Sequence, residues 1–337
     1  MYSKTRTFSH IYLEDAVAGH PRAGRILDRF PGSTVIPVDD YQNVFGRGRQ
    51  DFWRQKAGPK LILARKKENL IYPGNDFLQG NASPNFCYNA PVLNCPYDCH
   101  YCYLQGMYGS ANIVAFVNQE DYFAAAEAFH QARPDPARET RLAISYDTDL
   151  LALEGILGYV REWVEWSRGR EGLHLEIRTK SSGKRFFREI EPSPLARFAW
   201  TLSPETVARR YEAGAPPLEA RIEAMREAAS RGWRLALCLD PVIRIPDWER
   251  TYTAFTDRLA RELPWAAIDR VEIGVFRVGG QHFKRMRRRP GTDLLHYPYE
   301  HANNAVSYKE TAREEMMHLL QERIRRIISP NQIHIWT

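Results

Sequence analysis

The sequence predicts an α/β protein in which a parallel sheet, open or curled into a barrel, carries its helices on the outside. Two observations predict this class. From about residue 97 onward, short apolar runs alternate with longer stretches of helical spacing, and strand–helix alternation of this kind builds parallel sheets. The chain of 337 residues is also 44% hydrophobic and 26% charged, the composition of a globular fold long enough for a barrel with additions. These values exclude a disordered chain, a collagen and a disulfide-stapled mini-domain. No apolar run approaches the roughly 18 residues of a membrane helix. The start, MYSKTRTFSH, has no apolar signal region, so a cytoplasmic location is expected.

Taken in order, residues 1–90 read as a small N-terminal α/β domain. A helical stretch around residues 13–30 leads into the apolar run 34–38, and a second strand is expected at 61–64. The segment from Asn75 to Pro96 is rich in Asn, Pro and Gly, which favour turns, and is read as a boundary loop. Residues 91–290 form the alternating part, with strands expected at 142–144, 173–177, 198–202, 234–239 and 271–276. Between them Leu218, Ile222, Met225 and Ala229 share one helical face, and Gly232 supplies the stop. Residues 291–337 form a C-terminal helical extension, with a helix near 308–328 and a short strand at 332–336. Function in such folds gathers at the carboxyl ends of the strands.

The chemistry concentrates in Asn94-Cys95-Pro96-Tyr97-Asp98-Cys99-His100-Tyr101-Cys102-Tyr103-Leu104-Gln105, where three of the five cysteines fall within eight residues. Three thiolates in one loop can converge on one metal centre. A four-iron cluster normally takes four cysteines, so three leave one iron open for direct binding. The competing reading is a structural zinc completed by His100 or a distant ligand. Such sites usually arrive as two Cys/His pairs, and no second pair is present.

This spacing, with Tyr101 just before the third cysteine, resembles the radical S-adenosylmethionine (radical SAM) superfamily. The fuller string CHYCYLQ resembles the spore photoproduct lyase family within it. The Phe116-Val117-Asn118 step, the Arg178-Thr179-Lys180 strand end and the segment from Tyr211 to Glu223 fall in that family's order. The resemblance implies a partial (β/α)6 radical SAM barrel with a 4Fe–4S cluster on Cys95, Cys99 and Cys102 and with S-adenosyl-L-methionine (SAM) as cofactor. It implies a lyase whose 5′-deoxyadenosyl radical takes hydrogen from a thymine lesion in DNA and reverses it. It implies SAM contacts by Tyr101, Thr148, Lys180 and Thr201, and a hydrogen-transfer role for Tyr103. DNA and an electron donor such as flavodoxin or ferredoxin are the implied partners.

The pattern breaks in two places. Ser145-Tyr146-Asp147-Thr148-Asp149 stands where the family carries Cys-Thr-Ser-Asp, whose cysteine returns a hydrogen atom to the product radical. Tyr146 is the expected substitute, with simple packing as the alternative. The stretch 302–315, ANNAVSYKETAREE, does not match the family's Gly- and Tyr-rich DNA-contacting segment. Another nucleic acid, nucleotide or small metabolite is therefore the alternative substrate, and a metal-stabilised nucleic-acid-binding protein the alternative from another class.

Net charge is +6, compatible with a polyanionic partner. Lys284, Arg285, Arg287, Arg288 and Arg289 place five charges in six residues, suited to phosphates or to a solvated loop. Cys238, in the middle of an apolar strand, is expected to be a buried structural cysteine, and Cys87 has no assigned role.

Overall fold

The computed structural model describes residues 7–74 and 83–336. Two compact units divide the chain, one of Met1–Pro96 with Met107–Ile177 and one of Tyr97–Gly106 with Arg178–Thr337. The largest sheet has eight strands and is that of a half-barrel. Its order is Ile333–Trp336, Ile268–Val275, Arg234–Val242, Ala196–Thr201, Leu173–Thr179, Thr140–Ala143, Phe86–Tyr88, Tyr72–Pro73.

In the first unit, a five-stranded sheet runs Thr34–Val38, His10–Glu14, Leu61–Ala64, Ile113–Phe116, Val92–Leu93. The first four strands pair in parallel and the last is antiparallel. Leu61–Ala64 and Ile113–Phe116 are buried along their whole length, as parallel strands covered on both faces must be. The segment read as helical from residue 13 opens instead with the strand His10–Glu14, and its helix is Pro21–Leu27. Pairing on both sides fixes Ile11, Tyr12 and Leu13 as strand, while Pro21 at the first helical position and the His20 ring, accepting from Arg22 N at 3.1 Å, start the helix.

Residues 75–82 of the expected boundary loop lie outside the described residues. The rest of it is not all loop. Phe86–Tyr88 pairs in parallel with Thr140–Ala143, and Val92–Leu93 joins the five-stranded sheet. Strands of two and three residues are too short for periodicity to reveal.

In the second unit, Ala196–Thr201, Arg234–Val242, Ile268–Val275 and Ile333–Trp336 pair in parallel, close to the expected positions. Helix Leu218–Ser230 buries Leu218, Ile222, Met225 and Ala228, and Gly232, at φ 87°, takes the left-handed turn that glycine tolerates best. Phe186, Phe187, Phe198, Trp200 and Trp233 pack edge to face and tilted into one aromatic core. The parallel register sets Thr201 beside Cys238 and Cys238 beside Glu272, a row of polar side chains across three strands.

The C-terminal extension is not purely helical. Glu300–Ala302 and Ala305–Ser307 form a hairpin that joins Arg277–Gly279, and helix Glu310–Ile324 follows. Asn303 and Asn304 sit at the hairpin tip with φ of 50° and 61°, a turn that asparagine accepts readily. Among the described residues no helix is long and apolar enough to cross a membrane.

Candidate active site

In the second unit, Cys99 lies in the two-residue strand Asp98–Cys99, paired antiparallel with Glu212–Ala213 so that Glu212 stands opposite Cys99. A short loop has few backbone partners of its own, and side chains supply them here. Gln105 Nε2 donates to the carbonyls of His100 at 2.7 Å and Cys102 at 3.0 Å, and His100 N donates to Tyr211 O at 2.8 Å. Gly106, at the loop's end, has no room for a Cβ, which would run into the His282 carbonyl.

Tyr101 is buried, and its hydroxyl donates to Glu212 Oε1, which also accepts from Ser203 Oγ at 3.0 Å. Glu212 Oε2 pairs with Arg221 Nη2 at 2.5 Å. Arg221 spends its other nitrogens on Pro216 O at 2.8 Å and Thr201 O at 3.2 Å. Both charges are almost without solvent access, a situation tolerated only when each is paired and hydrogen-bonded. Burial pushes the Glu212 carboxyl up, but Arg221, Lys180 and the Tyr101 hydroxyl outweigh it and hold it below the ordinary carboxylate value. Lys180 Nζ lies 5.5 Å from the centre of the Tyr101 ring, within cation–π reach.

The structure thus brings Tyr101, Lys180 and the Thr201 backbone together around a Glu212–Arg221 pair that sequence reasoning missed. A signal was present: Arg221 shares a helix stripe with Leu218, Ile222 and Met225, and a charge on an apolar stripe implies a buried partner. Cys238 is fully buried, with its Sγ 3.9 Å from Glu272 Oε2.

In the first unit, Cys95 is half-buried and its carbonyl accepts from Lys56 Nζ at 2.6 Å. Tyr146 follows strand Thr140–Ala143 and packs on Tyr88 at 4.3 Å between ring centres, and Tyr88 stacks on Tyr72 at 5.0 Å. Asp147 accepts from Tyr108 Oη at 2.7 Å. Thr148 Oγ1 is buried with no hydrogen-bond partner among the described residues. A buried hydroxyl in that position costs about 1–3 kcal/mol, so the group suits a ligand atom.

Tyr103, in the second unit, is half-buried, and its carbonyl accepts from Gly106 N at 2.8 Å. Among the described residues the five cysteines form no disulfide. Cys95 belongs to the first unit, and Cys99 and Cys102 to the second. Among the described residues no group of three or more His, Cys, Asp or Glu is gathered to hold a metal ion. The fit of an iron–sulfur cluster is chemical: three cysteines within eight residues, on a loop in which Gln105 holds the carbonyls of His100 and Cys102.

The basic run is part helix and part turn. Lys284 and Arg285 ride on helix Gly280–Met286, and Lys284, Arg287 and Arg288 line a cavity of about 750 Å³ with Phe283, His296 and His301. Arg285 is exposed outside that lining. Arg289 departs from the expected phosphate-binding set. It falls on the buried stripe of Phe283 and Met286, and its guanidinium holds the Asp98 carboxylate at 2.8 and 2.6 Å and Gln105 Oε1 at 3.3 Å. Buried and bidentately engaged, it clamps the cysteine loop and is not available to DNA.

The sequence matches the family model for spore photoproduct lyase over residues 75–289, more than half of the chain. It is 22% identical over 258 residues to the spore photoproduct lyase of Geobacillus sp. (strain Y412MC61), covering 75% of this chain and 73% of that one. The spore photoproduct lyase of Bacillus subtilis (strain 168) is 22% identical over 261 residues, with the same two shares. Among solved structures the fold is similar to a spore photoproduct lyase complexed with dinucleoside spore photoproduct, with a TM-score of 0.84 at 18% identity, covering 98% of this chain and 99% of that one. A double mutant of spore photoproduct lyase with bound AdoMet and dinucleoside spore photoproduct gives a TM-score of 0.82 at 18% identity, covering 98% of each chain.

Proposed function

The chain belongs to the spore photoproduct lyase family, and on that premise we propose that it is a radical SAM lyase that reverses a thymine photoproduct in DNA. The observation that carries the reading is the assembly of buried Tyr101, Ser203, Glu212 and Arg221 with half-buried Lys180 at the cysteine loop. Cys95, Cys99 and Cys102 would hold the 4Fe–4S cluster, and Tyr101, Thr148, Lys180 and Thr201 would hold SAM. When bound, the two groups supply a 5′-deoxyadenosyl radical able to take a hydrogen atom from carbon.

The chain's own residues bind, orient and exclude water. Lys180 offers a point charge to an anionic group, steadied over the Tyr101 ring. Thr148 offers a buried hydroxyl with an unspent hydrogen bond. Glu212 and Arg221 fix the Tyr101 hydroxyl, so its ring cannot swing away from Lys180. Tyr146 holds a phenol at a strand end, where it would return a hydrogen atom to the product, with Tyr103 as relay. Lys284, Arg287 and Arg288, on the wall of a cavity of about 750 Å³, would take DNA phosphates, with Arg285 beside them. A one-electron donor such as flavodoxin or ferredoxin completes the set, and cysteines without disulfides suit a cytoplasmic setting.

Anaerobic reconstitution tests the reading. The protein should show broad visible iron–sulfur absorbance and cleave SAM when dithionite is added, and C99A should lose both. SAM cleavage at the parent rate in C99A would sink the proposal. Losing a charge-assisted contact costs about 1.5–3 kcal/mol, so K180A should weaken SAM binding by roughly 10- to 150-fold in an anaerobic titration.

A further inference from the structure

The first unit carries a strongly charged face that the reading above leaves unused. Residues 47–60 contain Arg47, Arg49, Arg54, Lys56 and Lys60 against a single acid, Asp51. Arg47, Arg49 and Arg54 are exposed and form no ion pair among the described residues. Asp51 forms no ion pair with them among the described residues: it caps helix Phe52–Lys56, its carboxylate accepting from Arg54 N at 3.0 Å.

The face is also built rather than loose. Gln50 Nε2 donates to Phe45 O at 3.0 Å and Arg47 O at 2.8 Å, and Gln50 Oε1 accepts from Gln55 at 2.8 Å. Gln55 Oε1 in turn accepts from Ala111 N at 2.9 Å. At the end of the helix that carries Arg54, Lys56 Nζ bonds the carbonyl of Cys95 at 2.6 Å, which ties this segment to the proposed cluster loop. Half-exposed Trp53 adds an apolar contact among the charges.

We propose that this face docks an acidic one-electron carrier protein of the flavodoxin or ferredoxin kind, which reduces the iron–sulfur centre from the Cys95 side. The inference rests on the radical SAM reading. Charge complementarity selects the occupant: exposed arginines free of ion pairs steer an acidic partner and raise its association rate, and small electron-transfer interfaces rely on this more than on area. Placement selects the purpose, because an electron must enter near a ligand of the cluster. In the step, the reduced carrier loses one electron and the cluster gains it. No bond is made or broken at the face, and no proton is required to cross it.

The test uses the full-length, cluster-loaded protein, reduced flavodoxin as probe, and the variant R47E/R49E/R54E. Stopped-flow absorbance of the flavin reads carrier oxidation directly. We expect the rate constant at low salt to fall about 10-fold or more in the variant, and the parent's steep salt dependence to flatten. Iron content and dithionite-driven SAM cleavage should stay at parent values, which shows the variant is folded and loaded. R47Q/R49Q/R54Q should fall between the two. A variant that oxidises the carrier with the parent's rate and salt profile would overturn the proposal. So would loss of duplex-DNA binding with carrier oxidation intact, which would assign the face to nucleic acid. A parent protein unable to cleave SAM even with dithionite would overturn the radical SAM reading, and the docking face with it.

Discussion

Glu212 is 2% exposed and stays charged because Tyr101, Ser203 and Arg221 occupy both of its oxygens. Removing one partner of a buried pair leaves the other uncompensated and costs about 3–5 kcal/mol. E212Q should therefore lower the unfolding free energy by about that amount in denaturant melts, and adding R221M should recover part of the loss. An unchanged melt would show that the pair is not buried as described. A second residue-level prediction concerns Tyr146. Its ring is already packed on Tyr88, so Phe can occupy the same space and the two differ by one oxygen. Y146F is expected to cleave SAM at the parent rate and to release adducted or mis-quenched product. The parent's product spectrum from Y146F would leave Tyr146 a packing residue only.

Helix Gln119–Gln131 carries Glu120 in its first turn, where the carboxylate accepts from His20 Nε2 and Arg22 Nη1, each at 2.9 Å. Burial pushes this carboxyl up, but His20, its own backbone N–H and Arg22 outweigh it and bring it down from 4.5 to about 2. A depressed folded value means the unfolded chain takes up the proton first as pH falls. The stability Glu120 adds is therefore complete above about 4.5 and is lost towards pH 2. E120Q should melt below the parent at neutral pH and converge with it near pH 2, followed by circular dichroism; a constant gap across the acid range would assign the effect to packing. The helix Gly280–Met286 and its following turn present Lys284, Arg287 and Arg288 to one cavity while Arg289 turns inward. Replacing those three by Gln should reduce the salt slope of duplex binding by about 2–3. A parent protein without DNA affinity at low salt would hand the substrate to another nucleotide or a small metabolite.

Across the whole molecule, what was legible in the sequence was local. The strands from Thr140–Ala143 to Ile268–Val275 each carry an apolar run, and the cysteine motif is a spacing within eight residues. What escaped was set by partners far along the chain. Phe86–Tyr88 is three residues in a turn-rich stretch and becomes a strand by pairing with Thr140–Ala143, and Ile113–Phe116 joins a sheet begun a hundred residues earlier. The cysteine loop was visible, but Glu212, Arg221 and Arg289, which hold it, come from beyond residue 200, and a run of arginines shows its charge without showing which member points inward. The central claim, repair of a thymine photoproduct by this site, is tested most directly by incubating the anaerobically reconstituted protein with SAM, dithionite and dinucleoside spore photoproduct and quantifying both nucleosides and dinucleotides by chromatography. The account predicts conversion of the lesion to two thymidines together with SAM cleavage, both lost in C99A. SAM cleaved to 5′-deoxyadenosine while the lesion persists unchanged would contradict it.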